Sequence, residues 1–315
     1  MGLCCWSAFT VAETVSLKSF INEMVTKHQF DKKALTQLLN KAKVRKSILR
    51  AMKRPSEHKP WYQYRAIFLT DKRIQGGVQF WHQYAQQLEK AEEHYGVPAE
   101  IIVAIIGVET IYGSYTGNYR VIDALTTLSF HYPKRADFFR EELEHFLLLT
   151  REEDIAPLTL KGSYAGAMGI GQFMPSSYRT YAIDFNHDGQ RNLWSDVEDV
   201  IGSVAHYLKQ HEWQPGEPII LPTQVREHAV EELLALEFKP QYTLQQLKQK
   251  GLLFQGDQPN DQLGMLIDLE TKQGRAYWVG FKNFYVITRY NRSKRYAMAV
   301  YQLAQEIARQ YASKY

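Results

Sequence analysis

The chain has 315 residues, 45% of them hydrophobic and 23% charged, with 38 Lys and Arg against 34 Asp and Glu. That length suits about two domains, or one large body with an insertion, and lets the chain bury enough surface to fold without staples. Disorder and collagen-like repeats are excluded, no apolar run is long enough to span a membrane, and a net charge of +4 without a basic block argues against a dedicated nucleic-acid binder while suiting an anionic polymer or surface.

Met1 to Ala12 carry no charge, and Glu13 ends the stretch. It reads as the tail of a secretory signal that lacks its basic start, or as an apolar N-terminal strand or helical turn. Cys4 and Cys5 are adjacent, a spacing that disfavours a disulfide, so the body is cysteine-free, as suits an exported protein. Neither has the small residue usual before a lipidated cysteine, so a lipid anchor stays open but unsupported. From Val15 to about Leu49, apolar residues at helical spacing (Leu17, Phe20, Ile21, Met24, Val25, then Leu35, Leu38, Leu39) predict a helical N-terminal region with Asp31 as an N-cap. Pro55 and Pro60 interrupt an aromatic-rich stretch that predicts an extended segment up to Asp71. A helix follows from about Gly77 to Tyr95, closed by Gly96. Pro98 then opens a helix that is apolar on every side over Ile101 to Val108 and must therefore be central and buried. Helical periodicity returns at 137–150 and 197–210. Prolines and short runs at Gly264 to Leu269 and Arg275 to Phe281 predict a small inserted sheet between Trp213 and Gly280. Ser293 to Ala312 reads as an amphipathic helix packed back on the N-terminal helices.

Three places carry residues suited to chemistry. Glu109 ends the all-apolar helix, where its neighbours strip hydration, disfavour the charged form and raise its pKa towards the range of a general acid. Gly107 and Gly113 are expected to leave room beside it for a substrate. The run Gly162 to Ser176 holds Gly162, Gly166, Gly169 and Gly171 beside Ser163, Tyr164 and Gln172, neutral groups that suit sugar hydroxyls and acetamido groups. It lacks the Lys-Ser/Thr of a phosphate loop. Asp184, Asn186, Asp188, Gly189 and Gln190 follow the spacing of a calcium loop, with side-chain oxygens at positions 1, 3 and 5 and a main-chain carbonyl at 7. Position 12 is Ser195, so the bidentate carboxylate must come from Asp196, Glu198 or Asp199. Asp123, Glu141 and Glu142 read as solvated or helix-face charges.

The segments Val108 to Gly113, Leu128 to Ala136, Gly162 to Tyr178 and Asn283 to Ser293 resemble the lytic murein transglycosylase B family, with similarity in order over about residues 15–312. The resemblance implies a mainly α (α+β) protein with a lysozyme-like catalytic core. It implies a helical domain at 14–95 plus 293–315, the core with its calcium loop at 96–212 plus 281–292, and a sheet-bearing domain at 213–280. Residues 1–13 would be a signal remnant. It also implies a single glutamate, Glu109, cutting the β-1,4 bond between MurNAc and GlcNAc of peptidoglycan and forming 1,6-anhydroMurNAc. Ser163, Gln172 and Phe173 match cleft positions of the family, as do Tyr64, Tyr207, Tyr290 and Asn291. For the metal, the resemblance favours structural Ca²⁺ on Asp184, Asn186, Asp188, Gln190 and Asp199. A monomer in the periplasm or cell envelope follows, meeting glycan strands and proteins of cell-wall synthesis or degradation. An ordinary glycosidase needs a second carboxylate. A non-catalytic peptidoglycan-binding module and a water-using muramidase are the alternatives.

Overall fold

A computed structural model describes residues 16–53, 59–226 and 230–313. Residues 1–13, with Cys4 and Cys5, lie outside that set, as does Pro55. The elements run α1 (Leu17–His28), α2 (Lys32–Asn40), α3 (Lys46–Ala51), α4 (Trp61–Phe68), α5 (Asp71–Gln83), α6 (Ala85–Tyr95), α7 (Ala99–Thr110), β1 (Tyr119–Arg120), α8 (Val121–His131), α9 (Ala136–Glu152), β2 (Lys161–Gly162), α10 (Pro175–Tyr181) and α11 (Val197–Gln210). Then come β3 (Ile220–Val225), α12 (Val230–Leu234), β4 (Tyr242–Thr243), α13 (Leu244–Gln249), β5 (Leu252–Leu253), β6 (Leu263–Thr271), β7 (Gly274–Gly280), α14 (Lys282–Tyr290) and α15 (Lys294–Ala312). The fold is mainly helical with a small sheet, as expected.

Helix starts follow local chemistry. Asp31 Oδ1 accepts from the Ala34 amide at 2.7 Å, and Thr70, Asp196 and Ser293 cap α5, α11 and α15 in the same way. α7 has no polar face, and every residue from Ile101 to Val108 is buried. It is the axis of the molecule, with α5, α6, α11 and α15 packed around it.

Two expectations need correction. The segment before Asp71 is not extended, because Pro60 stands at the N-cap of α4, a boundary where its missing N–H costs nothing, and Trp61 and Tyr64 are then buried. The helix expected from Gly77 to Tyr95 begins earlier, at Asp71, and breaks at Tyr84 into α5 and α6. Gly77 sits inside α5 because a Cβ there would lie 2.5 Å from Ile307 of α15. As expected, α15 packs back on N-terminal helices, here α4 and α5, and it also packs on α7 and α14.

The inserted sheet is antiparallel, in the order β4-β6-β7-β3-β5. β6 has both faces covered. Met265, Ile267 and Leu269 join the main core, and Leu266 points into a second core with Leu233, Leu244, Leu247, Leu252, Val279 and Phe281. That is why the strand reads as an almost continuous apolar run instead of an alternating one.

Candidate active site

Glu109 lies in the last turn of α7, half-buried. Its Oε1 accepts a hydrogen bond from the Tyr296 hydroxyl at 2.6 Å. Burial pushes the carboxyl pKa up to about 7, and the Tyr296 donor, which favours the anion, offsets only part of that rise. Both protonation states are therefore accessible near neutral pH, as a group that gives and then takes a proton requires.

Tyr296 was not singled out by the sequence pattern. It stands in the first turn of α15, buried, just before the apolar stripe that is predicted from Ala297 onwards. A tyrosine on a buried helical face must find a partner for its hydroxyl, and that is the signal that points to it. Its ring stacks on Tyr290 at 6.4 Å between centroids and 7° between planes. Burial first, and the Glu109 charge second, push both phenol pKa values well up, so both hydroxyls remain donors.

Phe173, Tyr207 and Tyr290 come together as an aromatic wall, with centroids 5.8 Å (Phe173 to Tyr207), 5.7 Å (Phe173 to Tyr290) and 4.9 Å (Tyr207 to Tyr290) apart. Two hydroxyls of the wall are tied to main chain: Tyr207 donates to Arg289 O and Tyr290 to Gly171 O, each at 2.6 Å. Tyr207 and Tyr290 line a cleft of about 690 Å³ together with Asn291, Met174, Tyr181 and His211. Tyr64 is placed differently, buried on α4 between Trp61 and Phe68. Its helix, α4, packs on α15, the helix that carries Tyr296.

In the glycine-rich loop the polar groups first hold the loop itself. Ser163 Oγ accepts from the amides of Ala165 (3.3 Å) and Ala167 (3.0 Å), which leaves its proton to donate. Gln172 adopts φ 52° and donates Nε2 to Thr116 O (3.0 Å) and Gly169 O (2.9 Å), which leaves its carbonyl to accept. Gly169, at φ 70°, lets the loop pass so near Leu193 that a Cβ would lie 2.4 Å from its carbonyl oxygen. The glycines thus serve chain-on-chain packing. Gly107 likewise makes room not for a substrate but for the Tyr112 hydroxyl, and Gly113 supplies a turn at φ 81°.

Two of the three acids read as solvated are instead buried and engaged. Asp123 accepts from Arg45 Nε, Arg120 Nη2 and the Lys43 amide. Glu142 accepts from the Ser176 amide (2.9 Å) and hydroxyl (2.6 Å), and so caps the start of α10. Glu141 is exposed, as expected.

At the acidic loop, Asp184 accepts from the Asp188 and Gly189 amides, Asp188 from the Gln190 amide, and Asn186 Nδ2 reaches Asp196 Oδ2 at 2.8 Å. Of the three residues eligible to close the loop, Asp196 is occupied as the α11 N-cap and Glu198 accepts from Gln87. Asp199 is fully buried and turned inward, with its oxygens accepting from the Phe185 amide at 2.8 Å and the Asn192 amide at 2.7 Å. Burial raises its pKa, those two amides lower it, and the charges of Asp196 and Asp184 raise it further. No three His, Cys, Asp or Glu side chains among the described residues form a metal cluster by themselves. A cation here would depend also on the Asn186 amide and Gln190 main-chain oxygens, a donor set that suits a hard ion.

Comparison with known proteins places this geometry. The family described as "Transglycosylase SLT domain" matches residues 12–305. The membrane-bound lytic murein transglycosylase B of Escherichia coli (strain K12) is 48% identical over 307 residues, covering 94% of this chain and 84% of that protein. The crystal structure of soluble lytic transglycosylase SltB1 from Pseudomonas aeruginosa superposes with a TM-score of 0.87 at 52% identity, over 92% of this chain and 97% of that one. The Escherichia coli lytic transglycosylase Slt35 in complex with calcium does so with a TM-score of 0.85 at 48% identity, over 94% and 93%. The chain belongs to the transglycosylase SLT domain family, as a lytic murein transglycosylase of the B type.

Proposed function

We propose that this enzyme cleaves the MurNAc–GlcNAc β-1,4 bond of peptidoglycan with Glu109 acting first as acid and then as base. The half-buried Glu109 carboxyl, held by Tyr296 on one oxygen, carries the reading. In its protonated form Glu109 gives its proton to the glycosidic oxygen as the bond to MurNAc C1 breaks. The resulting carboxylate takes the proton of the MurNAc C6 hydroxyl as that oxygen closes on C1, which forms 1,6-anhydroMurNAc and restores the acid. Hydrolysis would call for a second carboxylate to activate water or attack C1. Asp123 and Glu142 are committed to Arg45, Arg120 and Ser176, which leaves the C6 hydroxyl as the internal nucleophile.

Tyr290, Tyr207 and Asn291 give the sugars ring faces and an amide, the buried Phe173 backs the two tyrosines, Ser163 offers a hydroxyl proton and Gln172 a carbonyl, and Tyr64 stands on α4, which packs on the helix of Tyr296. Asp184, Asn186, Asp188, Gln190 and Asp199 would hold Ca²⁺, whose charge would offset the converging carboxylates and fix the loop to the start of α11. We assign residues 14–95 plus 293–315, 96–212 plus 281–292 and 213–280 to three domains. No helix among the described residues is long and apolar enough to cross a membrane. Peptidoglycan as substrate supports work in the periplasm or cell envelope, and we read the working form as a monomer. Mass spectrometry of muropeptides released from purified sacculi tests the reaction: the expected products end in 1,6-anhydroMurNAc, lighter by one water than those of a muramidase. Products that are all reducing sugars would replace this reading with hydrolysis, and sacculi left intact would replace it with glycan binding alone.

A further inference from the structure

The helix that carries Glu109 ends in an uncommon backbone. Ile111 and Tyr112 both adopt left-handed conformations, at φ 52° and 55°, and Gly113 follows at φ 81°. For a β-branched residue such as Ile111 this is a true outlier, and it persists only where the surroundings over-determine it.

Those surroundings form a closed circuit between α5 and the last turn of α7. The Tyr112 side chain folds back along α7, and its hydroxyl donates to Arg73 O at 2.8 Å. Arg73 in turn sends Nε to Gly107 O at 3.1 Å and Nη1 to Ile67 O at 2.6 Å. Three glycines are cut to this shape. A Cβ at Gly107 would lie 2.4 Å from the Tyr112 hydroxyl, one at Gly77 2.6 Å from it, and one at Gly76 3.0 Å from the ring. Phe80 braces the ring at 5.5 Å.

Residues two apart on an α-helix are rotated by about 200°. The clamp at Gly107 therefore grips α7 from the side opposite the Glu109 carboxyl. Neither Arg73 nor Tyr112 is among the influences on Glu109, which are burial and Tyr296. Whatever the clamp does to Glu109 it does by geometry. Thr110 Oγ1 donates to Ile170 O at 2.8 Å and ties the same turn to the glycine-rich loop.

We propose that Tyr112 and Arg73 are positioning residues: they lock the left-handed end of α7 so that the Glu109 carboxyl stays aimed at Tyr296 and at the bond to be cut. The proposal rests on the reading of Glu109 as the acid and base. Tyr112→Phe keeps the ring and removes the anchor. On a soluble peptidoglycan oligosaccharide its kcat should fall roughly ten- to a hundredfold, the scale of a misplaced catalytic group, with KM within about twofold of wild type. A fold-stabilising role alone would leave kcat unchanged in the folded fraction, so circular dichroism and the melting curve fix that fraction in each assay. The pH profile of kcat is the second readout. A carboxyl turned away from Tyr296 loses the donor that favours its anion, so the profile should move to higher pH, as in Tyr296→Phe, and the double variant should move no further than Tyr296→Phe alone. Should Tyr112→Phe melt below the assay temperature, Arg73→Lys applies the same test, because Lys keeps the charge but cannot bridge Gly107 O and Ile67 O as a fork. A folded Tyr112→Phe or Arg73→Lys with wild-type kcat and pH profile overturns the proposal. A Glu109→Gln control that stays active overturns the reading of Glu109 instead, so the two failures are separable.

Discussion

Glu109 and Asp199 are both carboxylates set into the packed interior from helices, and burial raises the pKa of both, yet they are finished for opposite ends. Asp199 accepts two main-chain amides from the loop it closes, donors that cannot leave without unfolding that loop. Glu109 accepts one phenol on Oε1, and its other oxygen has no protein partner among the described residues. A buried carboxylate satisfied by backbone is a structural joint. One satisfied on a single side keeps an oxygen with which to move a proton. The two differ in donor count as well as in exposure, Asp199 being fully buried and Glu109 half-buried.

The comparison can be broken from either end. The largest effect is expected for Glu109→Gln, which keeps shape but cannot exchange a proton: activity on sacculi should drop about 10²–10⁴-fold, measured by turbidity, with folding and glycan binding retained. Asp199→Ala should instead cost stability, about 2–6 kcal/mol by denaturant unfolding, because two buried amides lose their acceptor. Calcium should raise the melting temperature of the wild type, and Asp184→Ala should abolish that rise.

A smaller effect concerns stability against pH. The folded pKa of Glu109 is about 7 against an ordinary 4.5, so between those values the unfolded chain ionises while the folded one stays neutral, and folding is progressively disfavoured as pH rises. Glu109→Gln escapes this, and should gain about 1–3 kcal/mol over wild type at pH 8 relative to pH 4. The smallest is Tyr296→Phe, which removes the donor that favours the anion. The pKa of Glu109 should rise further and the basic limb of kcat should move to higher pH by about one unit or less.

How much of this was legible in the sequence depended on the range of the signal. The all-apolar helix, the span of α11 and the β6–β7 hairpin were plain because periodicity is local, as were the Asp31 cap and the glycine that closes α6. Glu109 stood out because its neighbours along the chain are also its neighbours in space. Tyr296 did not, since it meets Glu109 across 187 residues of sequence. Gly107 was misread for the same reason: an absent side chain is visible in a sequence, but the Tyr112 ring that fills the gap is not. Asp123 and Glu142 looked like solvated charges because their partners, Arg45 and Ser176, arrive from other helices. Pro60 was taken as a breaker where it serves as a start, which is the ambiguity of proline at any helix boundary.

The most direct test is a carbon-13 NMR titration of the protein with labelled glutamate, in which Glu109→Gln identifies the signal by its loss. The Glu109 carboxyl should titrate near 7, far from the exposed glutamates. A midpoint at the ordinary value of 4.5 would mean that it is ionised throughout the neutral range, and it could not then serve as the acid that opens the reaction.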